Sequence, residues 1–262
     1  MGRQLALSEA LLACLSETRR PALRWYLASQ PALVVGNSQK PGIADLAVCR
    51  ERGVAVLRRT SGGAAVLVDA TAINMEVALP AGHPLATSDV VRAYEWIGKL
   101  WAEALRSLGV AKARAIPVEE VRAIPPLAAD DPLRLACFGT LSPWEVVVGK
   151  RKLVGLCQVR RRPGTLYQAG VYLQLDPKAL GELLDLNNNR RKTLGTRLHN
   201  AALGLDQATQ AADHALTADA VIAAVEQTLT TRLGVRLDPS DWTPHEREEA
   251  QRIERERFLP FN

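Results

Sequence analysis

Apolar positions along the chain recur with two periods. Residues 5–15 carry Leu5, Leu11, Leu12 and Leu15 with alanines between them, which predicts a helix. Residues 22–27 and 32–35 are short apolar runs parted by Ser29-Gln30-Pro31 and read as strands. Residues 43–52 read as a helix that Gly53 ends. Residues 54–57, 65–68 and 73–79 read as strands. In the last, Ile73, Met75, Val77 and Leu79 alternate with Asn74, Glu76 and Ala78, the pattern of a half-buried strand. The clearest long helix covers residues 90–108. There Val90, Tyr94, Ile97, Trp101, Leu105 and Leu108 recur at three- and four-residue steps, and Gly109 supplies the stop.

Residues 116–131, rich in Pro and Ala with mixed charge, read as irregular. Residues 144–148, 152–159 and 166–175 read as three strands of a meander that turns at Gly149-Lys150 and at Arg162-Pro163-Gly164. Residues 186–200 form a polar, basic stretch. Two helices follow. Residues 218–233 place Val221, Ile222, Val225, Leu229 and Leu233 on one face. Thr243-Pro244-His245-Glu246 then reads as a capping box with Pro at the first helical position, opening a helix to about residue 257. Strands and helices are mixed rather than strictly alternating, which predicts an α+β fold over a doubly wound parallel sheet.

Composition narrows the function classes. Of 262 residues, 47% are hydrophobic and 23% charged, so a disordered chain is excluded. The longest apolar runs, such as residues 64–68, are about five residues against the ~20 that a membrane helix needs, so no membrane role is expected. Glu9 and Glu17 interrupt the first apolar stretch, which is unlike a signal peptide. Ala6 stands where a myristoylation pattern needs Ser or Thr. Cys14, Cys49, Cys137 and Cys157 lie far apart with no CxxC pair. That argues against zinc and a disulfide framework and for a reducing, cytoplasmic setting. His83, His199, His214 and His245 form no metal-ligand spacing, so no metal is expected and they receive no role. A net charge of +5 without an aromatic stacking run does not predict nucleic-acid binding. It suits an acidic protein partner.

Three segments could carry chemistry. Arg58-Arg59-Thr60-Ser61-Gly62-Gly63-Ala64-Ala65-Val66 lies between two predicted strands. Its glycines let backbone amides approach a ligand, and Arg59 offers a fork of donors for phosphate or carboxylate. It is neither a Walker loop nor a GxGxxG motif. On spacing alone a hairpin turn with positive-φ glycines is the stronger reading. The second segment is Gly149-Lys150-Arg151-Lys152-Leu153-Val154-Gly155-Leu156-Cys157-Gln158. Regular alternation puts Lys152 and Gln158 on one strand face, opposite Gly155 and Cys157. Lys152 there is either a holder of a carbonyl or phosphate oxygen or part of a solvated basic hairpin. The third is Cys137, just ahead of that hairpin. It is either a presented thiol or a buried inert one, and the latter reading suits Cys14, Cys49 and Cys157.

Taken in order, these segments resemble the lipoate–protein ligase and octanoyltransferase family, whose catalytic domain shares its fold with biotin–protein ligases. The family's Arg-Arg-x-Ser-Gly-Gly-x-Ala-Val motif is similar to residues 58–66. Its Gly-x-Lys-x-x-Gly-x-x-Gln signature is similar to residues 150–158, with Lys152 in the lysine position. The helix, Leu-Gly-Val, Thr-x-x-Glu and closing helix near residues 218–257 also resemble it. Within the family the chain is most similar to the cysteine-dependent branch, with Asn74 in the strand after the glycine motif and Cys137 ahead of the lysine hairpin. It departs from the ATP-dependent ligases at Ala64, where they have a third Gly, and at Val68, where they have His.

The resemblance implies a mixed, mostly antiparallel sheet flanked by helices. Residues 1–262 would form a single catalytic domain, with 201–262 a two-helix extension packed on it. It implies acyl transfer onto a lysine of lipoyl-domain proteins, with Cys137 as nucleophile and Lys152 polarising the carbonyl. Arg59, Ser61, Gly62, Gly63, Ala64, Ala65, Asn74, Gly155 and Gln158 would line the substrate site. Implied partners are acyl carrier protein, the glycine-cleavage H protein and the acyltransferase subunits of 2-oxoacid dehydrogenases, with Arg160–Arg162 and Arg190–Lys192 as basic docking surface. No cofactor is required by a transferase. ATP-dependent ligation through an adenylate, with ATP and magnesium, is the alternative, and a non-catalytic binder of lipoyl domains is a third.

Overall fold

A computed structural model describes residues 1–40, 42–209 and 215–261 of the chain; His214 lies outside the described residues. Helix α1 (Gly2–Thr18) leads into β1 (Ala22–Leu27) and β2 (Ala32–Val35). Helix α2 (Leu46–Glu51) follows, then β3 (Ala55–Arg58), β4 (Val66–Val68) and β5 (Ala72–Pro80). A 3-10 turn at Arg92–Tyr94 opens α3 (Glu95–Ser107), which precedes β6 (Ala113–Ala115), α4 (Val118–Arg122) and β7 (Val146–Val148). The long strands β8 (Arg151–Arg161) and β9 (Gly164–Tyr172) come next. Among the described residues five helices follow: α5 (Ala179–Leu183), α6 (Asn188–Ala201), α7 (Leu205–Ala208), α8 (Ala218–Leu233) and α9 (Pro244–Arg257).

The large sheet has the order β1-β5-β9-β8-β7-β6, with every pair antiparallel. The predicted meander is its β9-β8-β7 half. Ile73, Met75 and Val77 of β5 and Ala169 and Val171 of β9 face α3 and α8 in one apolar core. Helix α1 crosses the opposite face, where Leu11, Leu12 and Leu15 pack on Ala78, Val159 and Leu166. Both faces of β5 are therefore covered, and the half-buried strand expected there is not observed: Glu76, on the polar side of the alternation, is 1% exposed. Helix α9 lies against α1 and begins with the predicted capping box.

The second sheet has the order β3-β2-β4, with β3 parallel and β4 antiparallel to β2. This overturns the hairpin reading of the glycine motif. β3 and β4 flank β2 and do not pair with each other, so residues 59–65 form a crossing loop. Two other expectations also change. The polar stretch after residue 186 is helix α6. Asn187 caps it by accepting from Arg190 N at 3.0 Å, and Leu194 and Leu198, four apart, are buried. Its short apolar seam is what the pattern failed to reveal. The segment read as irregular contains the short helix α4.

Gly36, just beyond β2, meets the crossing loop at close range. A Cβ added there would lie 1.8 Å from Gly63 O, whereas one on Gly62 would meet nothing within 4 Å. Gly36→Ala is expected to destabilise the protein by about 1–3 kcal/mol, as overpacking does. At roughly 2–4 °C per kcal/mol for a chain of this size, thermal unfolding should show the loss for Gly36→Ala and not for Gly62→Ala.

Candidate functional site

Between the α1 face of the large sheet and the small sheet lies a cavity of about 120 Å³. Leu5, Val34, Val66, Val159 and Leu166 supply apolar wall, while Arg59, Ser61, Asn74, Cys137 and Gly155 line it among the residues predicted from sequence. Gly62, Gly63, Ala64, Ala65, Lys152 and Gln158 do not line it.

Cys137 begins a 3-10 turn, Cys137–Gly139, and is half-buried. The turn is stitched to the end of the glycine loop: Ala65 N donates to Leu135 O at 2.9 Å and Cys137 N to Ala65 O at 2.8 Å. Ala65 thus serves Cys137 through its backbone. Arg59 clamps the same loop from inside. Its guanidinium donates to Gly62 O and Ala64 O at 2.8 Å and to Val34 O at 3.3 Å. Most of its fork is therefore committed to carbonyls of the protein rather than open to an anion.

Lys152 is re-aimed by a β-bulge. Val146 of β7 pairs with Val154 of β8 but the next residue, Val147, pairs with Lys152, so Leu153 is the extra residue. Beyond it the alternation is offset. Lys152 falls on the same face as Gly155, whose Cβ would lie 3.2 Å from Lys152 Cε. Gln158 falls on the other face, where its amide donates to Val90 O at 2.8 Å. The expectation that Lys152 and Gln158 share a face is therefore corrected, and Gln158 is absent from the cavity for the same reason. Lys152 is also no solvated hairpin residue, being 2% exposed.

A buried ammonium needs acceptors for all three of its hydrogens. Lys152 Nζ has them in Glu145 Oε1 at 2.6 Å, Cys137 O at 2.9 Å and Thr140 O at 3.3 Å. Burial opposes its charge, but the charge and hydrogen bond of Glu145, together with Cys137 and Cys157, outweigh that and hold the Lys152 pKa above the ordinary lysine value. Glu145 is itself 2% exposed and accepts from Ser142 N at 2.8 Å and Leu156 N at 3.2 Å. Sequence reasoning missed it. Its signal was a carboxylate entering an apolar strand run, Trp144-Glu145-Val146, which demands a buried cation.

A second carboxylate sits in the cavity wall. Glu76 accepts from Ser8 Oγ at 2.6 Å, Arg24 Nη1 at 2.8 Å and Gln168 Nε2 at 2.8 Å. Gln168 Oε1 in turn accepts from the Cys157 thiol at 3.1 Å. Burial pushes the Cys157 pKa up, so this second thiol of the cavity is held protonated. Cys14 and Cys49 are buried, as expected of inert cysteines. Among the described residues no group of three or more His, Cys, Asp and Glu is placed to hold a metal ion. Among them, too, no helix is long and apolar enough to cross a membrane.

The two sheets, the clamped glycine loop and the thiol-bearing turn define a protein of the lipoate ligase catalytic fold. The chain belongs to the lipoyl protein ligase A/B catalytic domain family, whose sequence model matches residues 1–230. It is 33% identical over 252 residues to the octanoyltransferase LipM of Kyrpidia tusciae, covering 95% of this chain and 89% of that one. In structure it is similar to a chain from the structural analysis of a bipartite lipoate protein ligase and its E2 lipoyl domain from Thermoplasma acidophilum, at a TM-score of 0.75 and 18% identity over 97% of this chain and 88% of that one. It is similar also to a lipoate-protein ligase A bound with ATP, at a TM-score of 0.73 and 19% identity over 97% and 90% of the two chains.

Removing one partner of the Lys152–Glu145 pair strands a buried charge. Lys152→Met and Glu145→Gln are each expected to destabilise by about 3–5 kcal/mol, and the double variant Lys152→Met/Glu145→Leu by less than their sum. Urea denaturation checks this. Because the folded pKa of Lys152 is raised, its contribution is complete below the ordinary value of 10.5 and is lost only as pH climbs above it. The wild type should therefore lose stability above pH 10.5 more steeply than Lys152→Met.

Proposed function

We propose that this protein moves an octanoyl or lipoyl group onto a lysine of lipoyl-domain proteins through an acyl-enzyme on Cys137. The observation that carries the reading is the half-buried Cys137 thiol at an apolar cavity, on a turn fixed by a buried ammonium. The kinship with octanoyltransferases supports it.

The Cys137 thiolate attacks the carbonyl carbon of the donor, and the donor's thiol or amine leaves with a proton. The acyl-enzyme thioester keeps its aliphatic tail in the cavity. The acceptor lysine amine then attacks that thioester, an amide forms, and the Cys137 thiolate is released as the amine's proton passes to solvent. Lys152 fixes the turn and supplies positive charge beside the reacting centre. With its three hydrogens already placed, it reaches the acyl oxygen only by giving up Cys137 O or Thr140 O. Arg59, Ser61, Asn74 and Gly155 form the walls. The commitment of Arg59 to backbone carbonyls weighs against an adenylate site and for transfer without ATP. Helix α6 packs on the Cys137 turn, and its exposed Arg190 and Lys192 suit an acidic carrier or lipoyl domain. Arg160, by contrast, is half-buried, with its Nε donating to Gln158 and its Nη1 to Thr87 O. The setting is taken to be cytoplasmic.

Intact-mass analysis of an apo lipoyl domain tests the proposal. An octanoyl mass gain is expected with octanoyl-carrier thioester or octanoyl H protein in the absence of ATP, with an acyl adduct on the enzyme. A gain only with octanoate, ATP and magnesium would overturn it in favour of ligation. Cys137→Ser should cost roughly a thousandfold or more in rate, as loss of a covalent nucleophile does, while Cys157→Ala keeps the acyl adduct. Arg190→Glu/Lys192→Glu should raise KM for carrier-bound donors, in a salt-dependent way, and leave KM for a small-molecule thioester unchanged.

A further inference from the structure

One wall of the cavity comes from outside the stretch that the family model matches. Phe258 follows α9, is 3% exposed and lines the cavity together with Met1 and Leu5 of the α1 side. The fit against α1 is close: a Cβ on Gly2 would lie 2.5 Å from Phe258 O. Helix α9 is otherwise polar and buries only Glu246, Ala250 and Ile253, and its apolar seam joins the core that holds Leu5, Ala6 and Ala10 of α1. Side-chain contacts tie the two helices along their length, from His245 Nε2 beside Glu17 at 3.3 Å to the Arg3–Glu254 ion pair at 3.4 Å. Glu9 joins this strap to the site itself. One of its oxygens lies 3.7 Å from Arg257 and the other accepts from Thr60, the neighbour of Ser61 in the glycine loop. Past Phe258 the chain is pinned again, with Phe261 N donating to Val56 O at 3.0 Å.

We propose that Phe258, held by this strap, is a specificity-determining residue that limits the length of the acyl chain the cavity accepts. The inference rests on the reading of the cavity as an acyl site. The backbone is held on either side of Phe258 and its side chain is 3% exposed, so a longer chain meets the ring as a stop. Truncating the ring opens space lined by Leu5 and Met1, which is apolar and welcomes further methylenes. Each methylene moved from water into such space is worth about fourfold in affinity, so two are worth about fifteenfold.

The test titrates hexanoate, octanoate, decanoate and dodecanoate into wild type, Phe258→Ala and Phe258→Leu by calorimetry. In parallel, intact mass follows acyl-enzyme formation from the matching N-acetylcysteamine thioesters. The expected result is a rise of about tenfold or more in the decanoyl-to-octanoyl ratio for Phe258→Ala, with a smaller rise for Phe258→Leu. Circular dichroism establishes folding, and if Phe258→Ala unfolds, the ratio for Phe258→Leu decides. An unchanged ratio in a folded variant, or an equal loss at every chain length, would overturn the inference and leave Phe258 a packing residue only. A shifted binding ratio without any acyl-enzyme in the wild type would uphold the stop and sink the transferase reading instead.

Discussion

An ammonium ion sealed inside a protein has to be surrounded by oxygen, and much of this site follows from where that oxygen comes from. Lys152 takes one carboxylate oxygen from Glu145 and two main-chain carbonyls from the turn that begins at Cys137. The charge is thereby made to organise backbone. Glu145 has no slack either, since both its oxygens also receive main-chain amides from Ser142 and Leu156. The result ties β8, the segment before β7 and the Cys137 turn into one unit whose parts cannot shift separately without exposing an unpaired charge to an apolar interior.

The same logic governs the cavity as a whole. Its wall contains two carboxylates, an arginine and a glutamine, yet each has partners in the protein: Glu76 has three donors, Glu9 has Thr60, Gln168 has Glu76 and the Cys157 thiol, and Arg59 has the loop carbonyls. What remains for a guest is chiefly aliphatic surface, which suits a hydrocarbon tail. Of the two thiols that face it, Cys157 is occupied as a donor and held protonated, which leaves Cys137 as the candidate nucleophile. Glycine has a comparable part in the loop: only without a side chain can Gly36 let Gly63 O come so near, and that approach places the chain for Arg59 to grip.

Much of the fold was legible in the order of residues. The run at residues 32–35 coincides with β2, the meander is there, and Thr243 caps α9 as its spacing predicts. Cys137, Arg59, Ser61, Asn74 and Gly155, scattered along the chain, line one cavity. What could not be read was anything set by pairing across strands. Arg24 and Glu76 stand opposite each other on β1 and β5 although 52 positions apart, so no local pattern announces their bond. Leu153 looks like an ordinary strand residue, yet as the extra residue of a bulge it turns Lys152 toward Cys137 and separates it from Gln158. Alternation arithmetic assumes an uninterrupted ladder and fails at the first irregularity. The glycine loop was misjudged for a related reason: adjacent strands in sequence need not be neighbours in a sheet, and β2 comes between β3 and β4.

The embrace of α1 by α9 also bears on how the molecule comes into being. Arg3 and Glu254 are 251 positions apart, so the helices that wall the cavity are made at widely separated moments of synthesis. Until α9 leaves the ribosome, Leu5 and the far wall of the cavity face water, and the nascent chain carries an open greasy cleft. Contacts of such long sequence separation form slowly, because a large loop must be closed before they return anything. Helix α9 is thus the element whose arrival ends the cleft's exposure, and a strap so polar outside its short apolar seam stays solvated until it docks.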